Sequence, residues 1–239
     1  SLFKQLKLSQ DKFDKLGKII ERSKYRNNSE DKTQIEEAIQ LPEDYRPLWL
    51  KRTSPDYRNA MHYLKGRGIS IFDIIRYRIG YSENGPYSGK IIIPSYDCEG
   101  QLNYFVSRAF YEHDLYKHKN PKVSKDIIGF DMLINWNEPI ILCEGAFDAI
   151  TIKRNAIPLF GKMINPKLRI KIIEEGVKEI YICLDQDAIK NAKHIAKTFM
   201  TEGITVHLVK LDKDDPNELG YKKITEKIHD TYQFSFEEL

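Results

Sequence analysis

Three acidic groups follow three apolar runs in the C-terminal half of the chain. Glu144 follows Ile140 to Cys143. Asp185 and Asp187 follow Tyr181 to Leu184, and a third group, Asp212, Asp214, Asp215 and Glu218, follows His207 to Leu211. Short apolar runs of this kind read as buried strands, so each acidic group stands at a strand's carboxyl end, the edge where open α/β sheets bind ligands. Asp185 and Asp187, two residues apart, project the same way. Oxygen donors with no His or Cys nearby favour Mg2+ or Mn2+ over Zn2+. A lone acidic residue at a strand end is more often a helix cap, because carboxylates are favoured at helix N-termini. Three successive strand ends point instead to a metal. Asp148 lies four residues past Glu144 and either orients a ligand or caps the helix, while Gly145 allows the tight turn between strand and helix.

The elements that must carry these residues alternate regularly. The pattern predicts strand 139–143, helix 146–154, strand 157–160, helix 168–175, strand 179–184, helix 188–200, strand 206–211 and helix 221–229. Such alternation implies a parallel sheet with helices on both faces. Upstream, Ser54-Pro55 opens a helix that Gly66 and Gly68 close, and Ser70 caps a second one through Tyr77. Residues 90–94 and 102–108 form an antiparallel hairpin around a turn at 97–100. Phe13, Leu16, Ile19 and Ile20 recur at helical spacing, and residues 23–33 read as a polar loop. The chain therefore divides into a helical segment 1–53, an α+β subdomain 54–135 and a parallel α/β subdomain 136–239.

Composition sets the outer bounds. The 239 residues are 41% hydrophobic and 31% charged, with no apolar run of bilayer length. A net charge of +3 excludes a uniformly basic binder, but the charge is segregated. Residues 61–127 hold ten Lys+Arg against seven Asp+Glu, and residues 128–188 hold seven against nine. A basic face beside an acidic pocket suits a polyanion held near a metal, although charge alone leaves an ordinary mixed surface equally open. Three widely spaced cysteines imply a reduced, intracellular protein and no zinc module. The stretch from Gly85 to Ile91 fails as a phosphate loop, because Ile91 stands where a Ser or Thr must bind Mg2+.

Cys143-Glu144-Gly145-Ala146-Phe147-Asp148 and Leu184-Asp185-Gln186-Asp187 resemble the two signature motifs of the TOPRIM fold, shared by bacterial-type primases, topoisomerases and related nucleases. The stretches Tyr63 to Ser70, Ile79 to Tyr81, Gly89 to Pro94, Ser107-Arg108 and Tyr116 to Pro121 are similar, in collinear order, to the catalytic core of bacterial-type DNA primases. One departure stands out. The third motif reads Asp215-Pro216-Asn217-Glu218, with Asn217 where cellular enzymes usually carry a second Asp, a feature closer to phage helicase-primases.

The resemblance implies an enzyme that makes short RNA primers de novo from ribonucleoside triphosphates on a single-stranded DNA template. It implies Glu144, Asp185, Asp187 and Asp215 as ligands of Mg2+ or Mn2+, with Glu144 either a ligand or the general base. It also implies nucleotide or template binding by Lys90, Arg108, Lys117 and Asn120, and partnership with a replicative helicase and a zinc-binding module. The expected setting is the cytoplasm of a bacterium or of a phage-infected host, away from membranes. A metal-dependent TOPRIM nuclease and a non-catalytic TOPRIM binding module remain the alternatives.

Overall fold

In a computed structural model of the chain, which describes residues 39–211, 215–235 and 237, two serines set the first helices among those residues. The Ser54 hydroxyl accepts from the Tyr57 N–H at 3.2 Å, and Pro55 supplies a pre-set first turn, which starts α1 (Pro55–Gly66). Ser70 and Asp73 cap each other reciprocally and start α2 (Ile71–Arg76). Gly68, at φ +71°, makes the reversal between them. All described residues belong to one unit, Ile39–Leu239; the expected helix and loop over residues 2–33 lie outside the described residues.

Two four-stranded sheets follow. The first is antiparallel in the order β1 (Tyr45–Pro47), β2 (Gly80–Ser82), β3 (Lys90–Tyr96), β4 (Leu102–Ala109). The β3–β4 hairpin matches its sequence reading. β1 lies inside the segment expected to be helical, and β2 had no strand signal because three residues are too few to show a period. Gly80 is required in β2, since a Cβ there would meet the Tyr45 ring of β1 at 2.2 Å.

The second sheet is wholly parallel, in the order β6 (Ala156–Pro158), β5 (Ile140–Cys143), β7 (Glu179–Cys183), β8 (Thr205–Leu208). Helices α3 (Ala146–Ile152) and α6 (Pro216–His229) cover one face, and α4 (Pro166–Glu174) and α5 (Ile189–Met200) the other. Alternation along β5 assigns the faces. Ile141 and Cys143 enter one core with Ala149, Ile150 and Ile224, while Ile140 and Leu142 enter another with Ile172, Ile195 and Phe199. The first of these cores continues into Leu64, Ile91, Ile93 and Tyr104 of the antiparallel half. The two sheets are thus joined by shared apolar packing, in which each fully buried large side chain contributes roughly 1.5–3 kcal/mol. A polar tie adds to it: Lys153, at the end of α3, donates to the Asp73 carboxylate of the α2 cap at 2.9 Å. No helix among the described residues is long and apolar enough to cross a membrane.

Candidate metal centre and anion-binding face

β5 has β6 on one side and β7 on the other, and the chain leaves β5 through α3 on one face and reaches β7 through α4 on the opposite face. That reversal opens a crevice at the carboxyl ends of β5 and β7, the ligand site of doubly wound sheets. Glu144 and Asp185 are the first residues past those ends or one beyond, and the register pair Cys143 and Cys183 sets them side by side. The Glu144 Oε1 accepts from the Asp185 N–H at 3.2 Å. Asp187 follows in the short 3-10 turn Gln186–Ala188. Glu144, Asp185 and Asp187 each offer a carboxylate oxygen within 4.8 Å of the others.

The electrostatics of this trio are unfavourable in the absence of a cation. Burial raises the Glu144 carboxyl above its ordinary value, and Asp185 adds to the shift. Burial likewise raises Asp185, reinforced by Asp215 and Asp187. The Asp185 Oδ1 is buried without a hydrogen-bond partner. Buried polar atoms are rarely left unpaired, so an oxygen-only cluster with an orphaned acceptor fits a hard divalent cation that supplies the missing contact and offsets the repulsion.

The other acidic residues serve this centre from its edge. Asp215 caps α6 by accepting from the Glu218 N–H at 2.7 Å, and its charge reaches Asp148 and Asp185 without its joining the trio. Asp148 caps α3, accepting from the Gly145 N–H at 3.0 Å. A Cβ on Gly145 would stand 3.1 Å from that same Asp148 oxygen. Burial, then Asp215 and Asp185, push the Asp148 carboxyl up to about 7. Asp212 and Asp214 lie outside the described residues. Asn217 is buried and bonds three ways: to the Thr151 hydroxyl at 2.7 Å, to the Arg67 carbonyl at 3.3 Å, and as acceptor from the Arg67 guanidinium. It fastens α6 to α3 and to the end of α1.

The cationic side chains divide into supports tied to carboxylates or backbone and guanidiniums without an ion pair among the described residues. Lys90 is 4% exposed, and its ammonium is committed to the Asp114 carboxylate at 2.5 Å and the Tyr116 carbonyl at 2.9 Å. A direct phosphate contact by Lys90 would require breaking that pair. Asn120 accepts from the Ser107 N–H at 3.0 Å. Lys90 and Asn120 thus hold the loop 111–120, on which Tyr116 and Lys117 are exposed. Lys90→Met is expected to loosen this loop, read as severalfold faster nicking between residues 111 and 119 by a protease, with the parallel sheet unaffected.

Arg108 and Arg67 are hydrogen-bonded but carry no carboxylate partner among these residues. The Arg108 Nε donates to the Tyr63 hydroxyl at 3.2 Å and the Arg67 Nε to the same oxygen at 2.8 Å. Arg67 lies over the ring of Phe147, 4.9 Å from its centroid, in the first turn of α3 and three residues from Glu144. Arg108 touches His118, whose imidazole burial, Arg108, Arg67 and Lys90 all hold below its ordinary value. Neither guanidinium forms an ion pair among the described residues, so their positive charge is not neutralised by a carboxylate, as an anion site requires, and the Tyr63 and Phe147 rings join them to the head of α3. Arg67 had only its place in the Gly66-Arg67-Gly68 segment as a sequence signal. Lys162, bonded to Asp187 and drawn also to Glu144 and Asp185, had none beyond following the end of β6.

Comparison with known proteins fits this geometry. Residues 139–225 match the family model of the Toprim domain. A protein of Mycoplasma genitalium, uncharacterized protein MG010, is 29% identical over 61% of this chain and 71% of its own length, and its Mycoplasma pneumoniae homolog is 27% identical over 65% and 77%. Among solved structures, the zinc-binding and RNA polymerase domains of the Aquifex aeolicus primase superpose with a TM-score of 0.63 at 20% identity, over 74% of this chain and 57% of that one. The Escherichia coli primase catalytic core gives 0.62 at 16% identity, over 75% of each chain. A DnaG primase catalytic domain bound to single-stranded DNA gives 0.63 at 17% identity, over 76% of each. The chain spans a little over half of that two-domain Aquifex chain. The conclusion from site, family model and superposition together is that residues 139–225 match the Toprim domain and that the chain has the fold of the bacterial primase catalytic core.

Proposed function

We propose that this chain is the catalytic core of a DNA primase, joining ribonucleoside triphosphates into short RNA on a single-stranded DNA template. The observation that carries the reading is the Glu144, Asp185 and Asp187 trio together with two guanidiniums that form no ion pair among the described residues, Arg67 over the Phe147 ring at the head of α3 and Arg108 on the Tyr63 hydroxyl that Arg67 shares. Nucleotidyl transfer needs both: cation ligands for a triphosphate and an electropositive surface for a nucleic-acid backbone.

Bound at the trio, Mg2+ or Mn2+ supplies charge neutralisation for the triphosphate and for the attacking oxygen. Asp185 and Asp187 would hold it, the orphaned Asp185 Oδ1 being the atom in want of a partner. Glu144, half-buried next to Asp185, is the base that accepts the proton of the 3′-hydroxyl as that oxygen attacks the α-phosphorus and pyrophosphate leaves. Asp148 and Gly145 keep the β5–α3 turn in place. Arg67, Arg108 and Lys117 contact template phosphates, and exposed Tyr116 offers a ring for an unpaired base. A zinc-binding module and a replicative helicase are the expected partners.

Replacing Arg67, Arg108 and Lys117 together is expected to weaken single-stranded DNA binding for all sequences and to lower the slope of log affinity against log salt by about 2, roughly 0.7 for each contact. An unchanged slope in fluorescence anisotropy would show that these cations make no contact with the DNA backbone. The function itself is tested by mixing the chain with single-stranded DNA, labelled ribonucleotides and Mn2+. Primer-independent RNA products support the proposal, shortening of the DNA replaces it with a nuclease, and binding without either leaves a recognition module.

A further inference from the structure

The loop after β6 places a lysine over the acidic centre, and the loop is anchored at Phe160. Phe160 adopts left-handed backbone at φ +51°, and its ring packs 4.8 Å from that of Tyr104 and 6.2 Å from that of Phe130. Its carbonyl accepts from the Lys125 ammonium at 2.8 Å. Two residues on, the Lys162 ammonium bonds the Asp187 carboxylate and is drawn further by Glu144 and Asp185. The lysine side chain is 42% exposed and Asp187 70%, so the pair can part without breaking any packing.

On the reading of the trio as a metal centre, we infer that Lys162 is the resident counter-cation of that centre: it competes with the divalent ion for Asp187, and on release it binds the phosphate chain of the incoming nucleotide. The same carboxylate cannot be fully neutralised by both cations, so occupancy by one lowers the affinity for the other. An ammonium freed beside a metal-bound triphosphate is a flexible point donor within reach of phosphate oxygens. Lys162 is therefore a positioning residue that sets the divalent-ion concentration at which the centre loads.

The test is Mn2+ binding by electron paramagnetic resonance to the wild type, Lys162→Met and Lys162→Arg, followed by calorimetry with inorganic triphosphate at saturating Mn2+. Lys162→Met is expected to tighten Mn2+ roughly three- to tenfold, the scale of a partly exposed charge pair amid several anions. It is expected to weaken triphosphate binding by a similar factor, and Lys162→Arg to restore both toward wild type. Unchanged Mn2+ affinity in Lys162→Met, with the wild type binding normally, would overturn the inference and leave the metal centre standing. Unchanged triphosphate affinity would overturn the transfer to phosphate. Absence of Mn2+ binding in the wild type would overturn the metal centre and this inference with it.

Discussion

Asp185→Asn is expected to lower primer synthesis by about a thousandfold or more while raising the melting temperature of the metal-free protein. The loss follows from removing a ligand on which charge neutralisation of the reacting triphosphate depends, an effect worth about 4 kcal/mol of barrier or more. The gain follows from the same feature read in the folded state. Asp185 is half-buried, stands beside Glu144, Asp187 and Asp215, and keeps one oxygen without a partner. Removing its charge relieves repulsion that only a cation otherwise offsets, of order 1 kcal/mol, which moves the melting temperature of a chain this size by about 2–4 °C. Melting in chelator and single-turnover synthesis in Mn2+ measure the two effects, and a destabilised variant would show Asp185 to be a structural residue.

The second large effect is a pH dependence of stability centred on Asp148. Its carboxyl titrates at about 7 in the folded chain against an ordinary 3.8, so as pH rises the unfolded chain releases this proton first. Protons bound by the folded state alone stabilise it at low pH, and that stability drains away as pH climbs from about 4 through about 7, then levels off. Three units at 1.36 kcal/mol each make the loss about 4 kcal/mol, or about 10 °C in melting temperature. Glu144 and Asp185, also raised, add in the same direction. In chelator the wild type is expected to melt higher at pH 5 than at pH 8. Asp148→Asn, which still accepts from the Gly145 N–H, is expected to flatten most of that difference, and an equally steep variant would assign it elsewhere.

How legible all this was depends on the range of the interactions involved. The parallel half could be read because β5 and β7 are continuous apolar runs ending in acidic residues, a local pattern that states both the strand and its edge. The bounds moved by only a few residues, as with β8, which stops at Leu208 while the apolar run continues to Leu211. β1 and β2 were not readable, being three residues each and defined by their pairing with one another and with β3. Lys90 carried the signal of a phosphate contact in its family-like segment, yet its burial is decided by Asp114, and no spacing rule links the two. Arg67 and Asn217 meet across 150 positions of sequence, and the Asn that departs from the family pattern acts here as their fastening. Long-range contacts of this sort leave no periodic trace.

The most direct measurement is anomalous diffraction from crystals soaked in Mn2+, read at the carboxyl ends of β5 and β7. A peak within bonding distance of Glu144, Asp185 and Asp187, lost in the Asp185→Asn variant, is the expected result. Well-ordered density for all three carboxylates with no anomalous signal between them, or a peak that persists when Asp185 is replaced, would contradict the assignment of this crevice as the catalytic metal centre.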